Sequence, residues 1–259
     1  MQAELIICKQ TEQTIKDIIC ESVEDLGRPD LFREPIVAFA SAHDPRFSQL
    51  QEWVGPWHNL PQDLLPGAES VISYFVPYTK EVSVEPRKSK HGSPLWSEAY
   101  LVVNEGFLTV NERVIAYLEK LGFAATAIRP THTYDPEDLQ CFWSHRSTAV
   151  IAGLGQMAAN RLVITEKGSC GRFCTVITTA PLIPNENPYP QKCRFLIDGS
   201  CGACFKVCPA GALKADSLDK FACQEELFRN QEIMEQETGM READTCGKCL
   251  SICPFAYVA

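Results

Sequence analysis

Apolar residues recur at Ile15, Ile18, Ile19 and Val23 within residues 12–26, the 3.6-residue spacing of a helix with one buried face, and Gly27 follows as its stop. Cys20 lies beside that stripe and reads as core. The runs Ile36 to Ala40 and Val71 to Val76 are short, β-rich and bounded by Pro, Gly and Ser, which predicts buried strands. The longest helix is predicted from about Trp96 to Leu121, with Val102, Val103, Phe107, Val110, Val114, Tyr117, Leu118 and Leu121 on one side and Gly122 beyond its end. Phe123 to Ile128 reads as a strand, and a Thr-, Pro-, His- and Asp-rich loop continues to about Leu139. Trp143 to Leu154 reads as helix, and Arg161 to Thr165 and Cys174 to Thr179 as two more strands. Pro181 to Pro190 holds four prolines and reads as a linker. Helices mixed with strands up to that point predict an α+β or α/β domain.

Composition narrows the picture. The 24 basic and 33 acidic residues leave a net charge of −9, which opposes a role resting on broad phosphate neutralisation. The basic stretch Arg87, Lys88, Lys90 and His91 reads as a solvated loop. No run approaches the ~20 apolar residues of a membrane span, and no export signal is evident, so no membrane partner and a cytoplasmic location are expected.

The chemistry is concentrated in the cysteines. Eight of thirteen lie in residues 193–259, and six form two copies of C-x2-C-x3-C-P: Cys201, Cys204, Cys208 before Pro209, and Cys246, Cys249, Cys253 before Pro254. In bacterial two-cluster ferredoxins the Cys before Pro serves the opposite cluster. The expected wiring gives one 4Fe-4S cluster Cys193, Cys201, Cys204 and Cys253, and the other Cys223, Cys246, Cys249 and Cys208. Cys193 and Cys223 stand further from their triplets than that pattern has them. Structural zinc competes with this reading, although zinc knuckles have no use for a third Cys before Pro. Disulfides compete too, against an odd thiol count and no secretory signal. Cys170 and Cys174 read as structural thiols.

Beyond the cysteines, Leu65-Pro66-Gly67-Ala68-Glu69-Ser70-Val71-Ile72 with Pro77-Tyr78, and Ala152-Gly153-Leu154-Gly155 with Asn160, Leu162 to Thr165 and Gly168-Ser169, resemble motifs of epoxyqueuosine reductases, relatives of reductive dehalogenases. The resemblance implies an α+β fold: a nitroreductase-like cofactor-binding domain (1–180), a linker (181–192) and a two-cluster ferredoxin-like domain (193–259). It implies two 4Fe-4S clusters passing electrons, from a donor such as ferredoxin or flavodoxin, to cobalamin. FMN on the same scaffold is an alternative cofactor, and a non-catalytic electron carrier or corrinoid-reducing partner protein an alternative role. The family usually continues this motif into a segment containing Lys, whereas Gln156-Met157-Ala158-Ala159-Asn160 has none.

Candidate residues follow partly from the resemblance and partly from the residues themselves, the loop before Ala152-Gly153-Leu154-Gly155 being longer than and different from the family's acid-bearing stretch. Asp135 and Tyr134, in the loop opening at Thr131, are the candidate proton donors, since reduction needs a proton beside the reacting carbon; Asp135 before Pro136 equally suits a turn. His145 and Arg146 are candidates for an anionic cofactor tail or substrate, or else form a surface pair. Tyr100 and Asn104, spaced with Trp96 along one helix face, are candidates for the cofactor pocket or for core packing. Gly153, Leu154, Gly155 and Asn160 complete the cofactor set. The chain stops at Ala259, six residues after the last cluster Cys, without the helical-repeat tail that helps full-length members hold tRNA. With the acidic charge, that leads to the expectation of a small-molecule substrate and no nucleic acid.

Overall fold

The computed structural model describes residues 2–130, 133–185 and 189–259, with side chains from residue 8 onward. Thr131 and His132 of the candidate loop, and residues 186–188 of the predicted linker, lie outside the described residues. In chain order the elements are α1 (Gln2–Glu24), β1 (Ile36–Ser41), α2 (Pro45–Trp53), α3 (Pro61–Leu64), β2 (Ser70–Pro77), α4 (Lys80–Val84), a 3-10 turn (Glu85–Arg87), α5 (Pro94–Lys120), β3 (Ala125–Ala127), α6 (His145–Ile151), β4 (Gly155–Met157), β5 (Val163–Thr165) and β6 (Gly171–Thr178). The cysteine-rich segment adds α7 (Arg194–Asp198), α8 (Ala203–Val207), α9 (Lys220–Thr238) and α10 (Lys248–Ser251).

A four-stranded antiparallel sheet, ordered β1-β2-β6-β3, carries the large domain. Every residue of β2 is buried, because helices cover both faces. Side chains alternate across a strand, so Ile72, Tyr74 and Val76 join Ile15 and Ile19 of α1 and Val103, Phe107, Val110 and Val114 of α5. Val71 and Phe75 turn to the other face, with Phe47 and Leu50 of α2 and Ala149 of α6. Tyr74 meets the edge of Phe107 at 5.4 Å between centroids, and its hydroxyl donates to Asn111 Oδ1 at 2.8 Å. The fold is mixed α+β, as expected.

The cysteine-rich segment is not a loosely tethered module. Ser97 and Thr245 hydroxyls lie 2.8 Å apart, and the Tyr100 hydroxyl donates to Asp244 at 3.0 Å. Arg87 donates to the Ser251 carbonyl, while buried Lys248 donates through Nζ to the carbonyls of Pro86, at 2.9 Å, and Ser89. The stretch around Arg87 is therefore a docking loop for α10, not merely a solvated one. The tail returns to the large domain, where the Ser169 and Cys170 amides donate to the Phe255 and Ala256 carbonyls at 2.9 and 3.0 Å. Gly168 has φ +103°, and a Cβ there would stand 2.7 Å from the Ala256 carbonyl oxygen, so only glycine allows this approach. The predicted linker is tied down as well: the Leu182 amide donates to Ser70 Oγ and the Asn185 amide to the Phe39 carbonyl, both at 2.9 Å.

Phe107 sits 1 % exposed between α1, α5 and the sheet. Phe107→Ala is expected to lower the unfolding free energy by about 3–5 kcal/mol, read by chemical denaturation. A loss under about 1 kcal/mol would mean that this face of the sheet is not close-packed.

Candidate iron-sulfur and redox site

Short helices and tight turns aim the cysteines inward. Cys193 is the N-cap residue of α7, which ends at Gly199 in the left-handed conformation. Cys204 lies in α8, Cys208 follows it, Cys223 sits in the first turn of α9, and Gly247, also left-handed, turns the chain between Cys246 and α10. At φ +70° a Cβ on Gly247 would lie 2.5 Å from the Trp96 ring, so glycine is required there sterically as well as conformationally.

The eight sulfurs separate into two foursomes. One cavity is lined by Cys193, Cys201, Cys204 and Cys253, together with Ala158, Asn160, Phe195 and Phe255. Among the remaining four, Cys208 raises the pKa of Cys223, Cys223 that of Cys246, and Cys246, Cys223 and Cys208 that of Cys249, to which Cys204 of the first set adds. Burial is the larger cause throughout, pushing Cys246 and Cys253 up to about 11 and Cys249 to about 12. Thiols held protonated this way ionise only when a metal centre displaces the proton. Among the described residues no three His, Cys, Asp or Glu side chains converge as a single ion requires, whereas zinc would need its sulfurs about 2.3 Å from one point. Sulfurs ringing a volume suit a cluster that brings its own sulfide.

Asn160 joins the two sets. It lines the first cavity, accepts the Leu162 amide through Oδ1 at 3.2 Å, and donates through Nδ2 to the Cys249 carbonyl at 3.0 Å. It therefore orients a cysteine backbone, and one of its two amide hydrogens is spent on protein. Cys170 and Cys174 are buried, and burial pushes both thiols up, which agrees with structural thiols.

The other candidate residues form a second layer. The Arg172 guanidinium lies over the Tyr100 ring at 4.8 Å and donates to Asn104 Oδ1 at 3.1 Å, so Tyr100 and Asn104 position this arginine. His145 Nδ1 and Trp143 Nε1 both contact Thr175 Oγ1 at 2.9 Å. Since the Trp N–H donates to that oxygen, the Thr hydrogen is available to His145 Nδ1, which places the ring proton on buried Nε2, on the side of the Arg129 backbone carbonyl. Burial, with Arg172 and Arg146 nearby, lowers the His145 pKa to about 4, so the ring is neutral near pH 7. Arg146 is exposed, donates to the Arg161 carbonyl at 2.9 Å, and feels Cys249 and Cys223 of the second foursome.

Gly153 (φ +82°) and Gly155 shape the turn from α6 into β4, where a Cβ at Gly155 would strike the Ile164 carbonyl at 2.3 Å. Leu154 is buried in the core on the α2 and α6 face of the sheet. These three positions build the scaffold. Tyr134 Oη accepts from Gln224 Nε2 at 3.1 Å, and Gln224 neighbours Cys223. Asp135 Oδ1 accepts the Glu137 amide at 2.8 Å, the turn geometry anticipated for an Asp before Pro136. Sequence reasoning missed Arg172 and Gln224. An arginine at the head of the apolar strand Phe173 to Thr178 was the available signal for the first; the second, a Gln in a polar helix, had none.

Anaerobic reconstitution is expected to give about eight irons and eight sulfides per chain, as two four-iron clusters require, and Cys253→Ser to impair the cluster of Cys193, Cys201 and Cys204. Electron paramagnetic resonance showing loss of the opposite cluster would refute the crossed wiring.

Comparison with known proteins agrees with this chemistry. Residues 199–256 match the 4Fe-4S double cluster binding domain family. The epoxyqueuosine reductase of Bacillus cereus is 30% identical over 207 residues, which are 75% of this chain and 50% of that protein; that of Bacillus subtilis is 26% identical over 206 residues, 75% of this chain and 49% of that protein. The chain thus spans about half the length of these curated relatives. Among solved structures, an epoxyqueuosine reductase with an epoxyqueuosine-modified tRNA-Tyr stem loop superposes with a TM-score of 0.54 at 21% identity, covering 91% of this chain and 64% of that one. The catabolic reductive dehalogenase NpRdhA superposes at 0.59 with 12% identity, over 86% and 30%.

The first of these structures corrects one expectation. A protein of this fold holds a tRNA stem loop, so neither the exclusion of nucleic acid nor the small-molecule substrate stands. Net charge is a sum over the whole surface, and it conceals a local gathering such as Arg146 beside Arg161 and Arg172. No helix among the described residues is long and apolar enough to cross a membrane. The chain is similar in sequence to epoxyqueuosine reductases and in fold to these and to a reductive dehalogenase, and its residues 199–256 match the 4Fe-4S double cluster binding domain family.

Proposed function

We propose that this chain is a cytoplasmic iron-sulfur reductase whose two 4Fe-4S clusters supply electrons to a cobalamin in a nitroreductase-like domain, acting on a modified nucleoside carried in tRNA. The partition of the eight cysteines into Cys193, Cys201, Cys204, Cys253 and Cys208, Cys223, Cys246, Cys249 carries the reading. When bound, the corrinoid would supply a strongly reducing cobalt centre. Its site is the face where His145, Arg146 and the loop from Thr133 to Phe142 meet the second foursome. The fit is supported by Arg146, an exposed residue beside the second foursome whose guanidinium is a donor suited to amide or phosphate groups of such a cofactor.

The chain's own residues then have separable tasks. Arg146 and Arg161 meet phosphate, since guanidinium groups pair with it in a bidentate fork. Tyr134 accepts from Gln224, which leaves its hydroxyl hydrogen to be aimed at a substrate. Asp135, one residue on, is held in its turn by the Glu137 amide. A solved epoxyqueuosine reductase of Bacillus subtilis has its catalytic aspartate loop swung out of the active site, and we assign the loop of Tyr134 and Asp135 that role here. Reductive opening of an epoxide to an alkene takes two electrons and two protons and releases water. The electrons would come by way of the clusters when these are bound; of the two protons, this loop would deliver one and solvent the other.

Adding hydroxocobalamin anaerobically to the reconstituted protein is expected to perturb the corrinoid spectrum at one equivalent, and FMN to leave its own spectrum unchanged. A flavin response without a corrinoid response would reverse the cofactor assignment.

An epoxyqueuosine-modified tRNA stem loop is expected to bind with an affinity that falls as salt rises and that drops about tenfold or more in Arg146→Ala. Asp135→Asn or Tyr134→Phe should retain cofactor and stem-loop binding while turnover falls by about a hundredfold, the usual scale for a lost general acid. Full turnover in both variants would remove the loop from the chemistry.

A further inference from the structure

We infer that the shoulder of the first-cluster cavity, built by α7 and α8, is the docking surface for an acidic one-electron carrier protein. The inference rests on the two-cluster reading and names the partner that loads it. Leu196 and Ile197, consecutive in α7, are 50 % and 59 % exposed, and they directly follow Phe195, which lines the cavity with Cys193, Cys201, Cys204 and Cys253. The Phe195 ring meets Phe205 of α8 edge-on at 4.9 Å, so the apolar patch is anchored by an ordered aromatic pair. Isolated exposed apolar residues are ordinary, but two adjoining ones at the mouth of a redox cavity form a contact patch of the kind interfaces use.

Charge identifies the occupant. Residues 189–207 carry Lys192, Arg194 and Lys206 against the single acid Asp198, a net +2 within a chain of net −9. Lys192, Arg194 and Lys206 are all exposed, and Arg194 lines the cavity mouth. Asp198 is turned to local use, accepting the Ser200 amide at 2.8 Å. This cationic rim attracts an acidic protein, so encounter is steered toward the mouth of the first cavity. The transfer moves one electron: the carrier is oxidised by one unit, the cluster is reduced by one, and no proton or atom crosses.

The test uses the reconstituted full chain and photoreduced flavodoxin, an acidic carrier, in anaerobic stopped flow with cluster bleaching as the readout. Iron content and bleaching by dithionite, which needs no docking surface, report whether the clusters are intact. In Lys192→Glu/Lys206→Glu the second-order rate with flavodoxin is expected to fall about tenfold or more and to lose its dependence on ionic strength. Leu196→Ser/Ile197→Ser should slow the same reaction at all salt concentrations. Unchanged flavodoxin rates in both double variants would overturn the inference. So would a wild-type dimer in sedimentation that the Leu196/Ile197 variant abolishes while the flavodoxin rate holds, since the patch would then serve a second copy of the chain. Wild-type protein that takes up no iron would sink the two-cluster reading itself, a separate outcome.

Discussion

In the proposed wiring, the crossed supply of thiolates constrains everything around it. Each foursome draws three cysteines from one part of the C-terminal segment and one from another: Cys253 returns to Cys193, Cys201 and Cys204, and Cys208 reaches forward to Cys223, Cys246 and Cys249. Neither half can close its site alone. The chain must fold back on itself, and the large domain holds it there. Lys248, between two ligand cysteines, is buried with its ammonium on the carbonyls of Pro86 and Ser89, and Asn160 holds the Cys249 carbonyl from the opposite side. A buried ammonium costs several kcal/mol unless it is well hydrogen-bonded, so these contacts select one docking geometry.

That docking explains how the second foursome comes to lie beside the candidate chemistry. Gln224, adjacent to Cys223, donates to Tyr134, and Arg146 senses Cys223 and Cys249. Leu196 and Ile197, both exposed, follow Phe195 at the first cavity.

Much of this was legible in the sequence. Repeated Cys spacings pointed to a double-cluster domain, which the family match bears out, because metal ligation leaves a strict positional trace, and the apolar stripe of α5 revealed a core helix because Val103, Phe107, Val110, Val114 and Leu118 face inward together. Leu121, assigned to the same stripe, is 45 % exposed because the helix ends at Lys120. Helix α9 was not foreseen, since its inward residues are Glu226, Asn230 and Met234, and a polar inward face leaves little hydrophobic periodicity. The proline-rich stretch 181–190 reads as a domain linker, and its Leu182 and Asn185 amides find partners in Ser70 and Phe39. Proline content reports which bonds a segment cannot make, not which it does. Overall charge misled for a similar reason, because recognition depends on where arginines gather.

The most direct test of the crossed wiring is anaerobic crystallography of the reconstituted chain with anomalous diffraction at the iron edge. The account predicts two four-iron peaks, one within bonding distance of Cys193, Cys201, Cys204 and Cys253 and the other of Cys208, Cys223, Cys246 and Cys249. Iron bonded by Cys201, Cys204 and Cys208 together, or a single ion in place of either cluster, would contradict it.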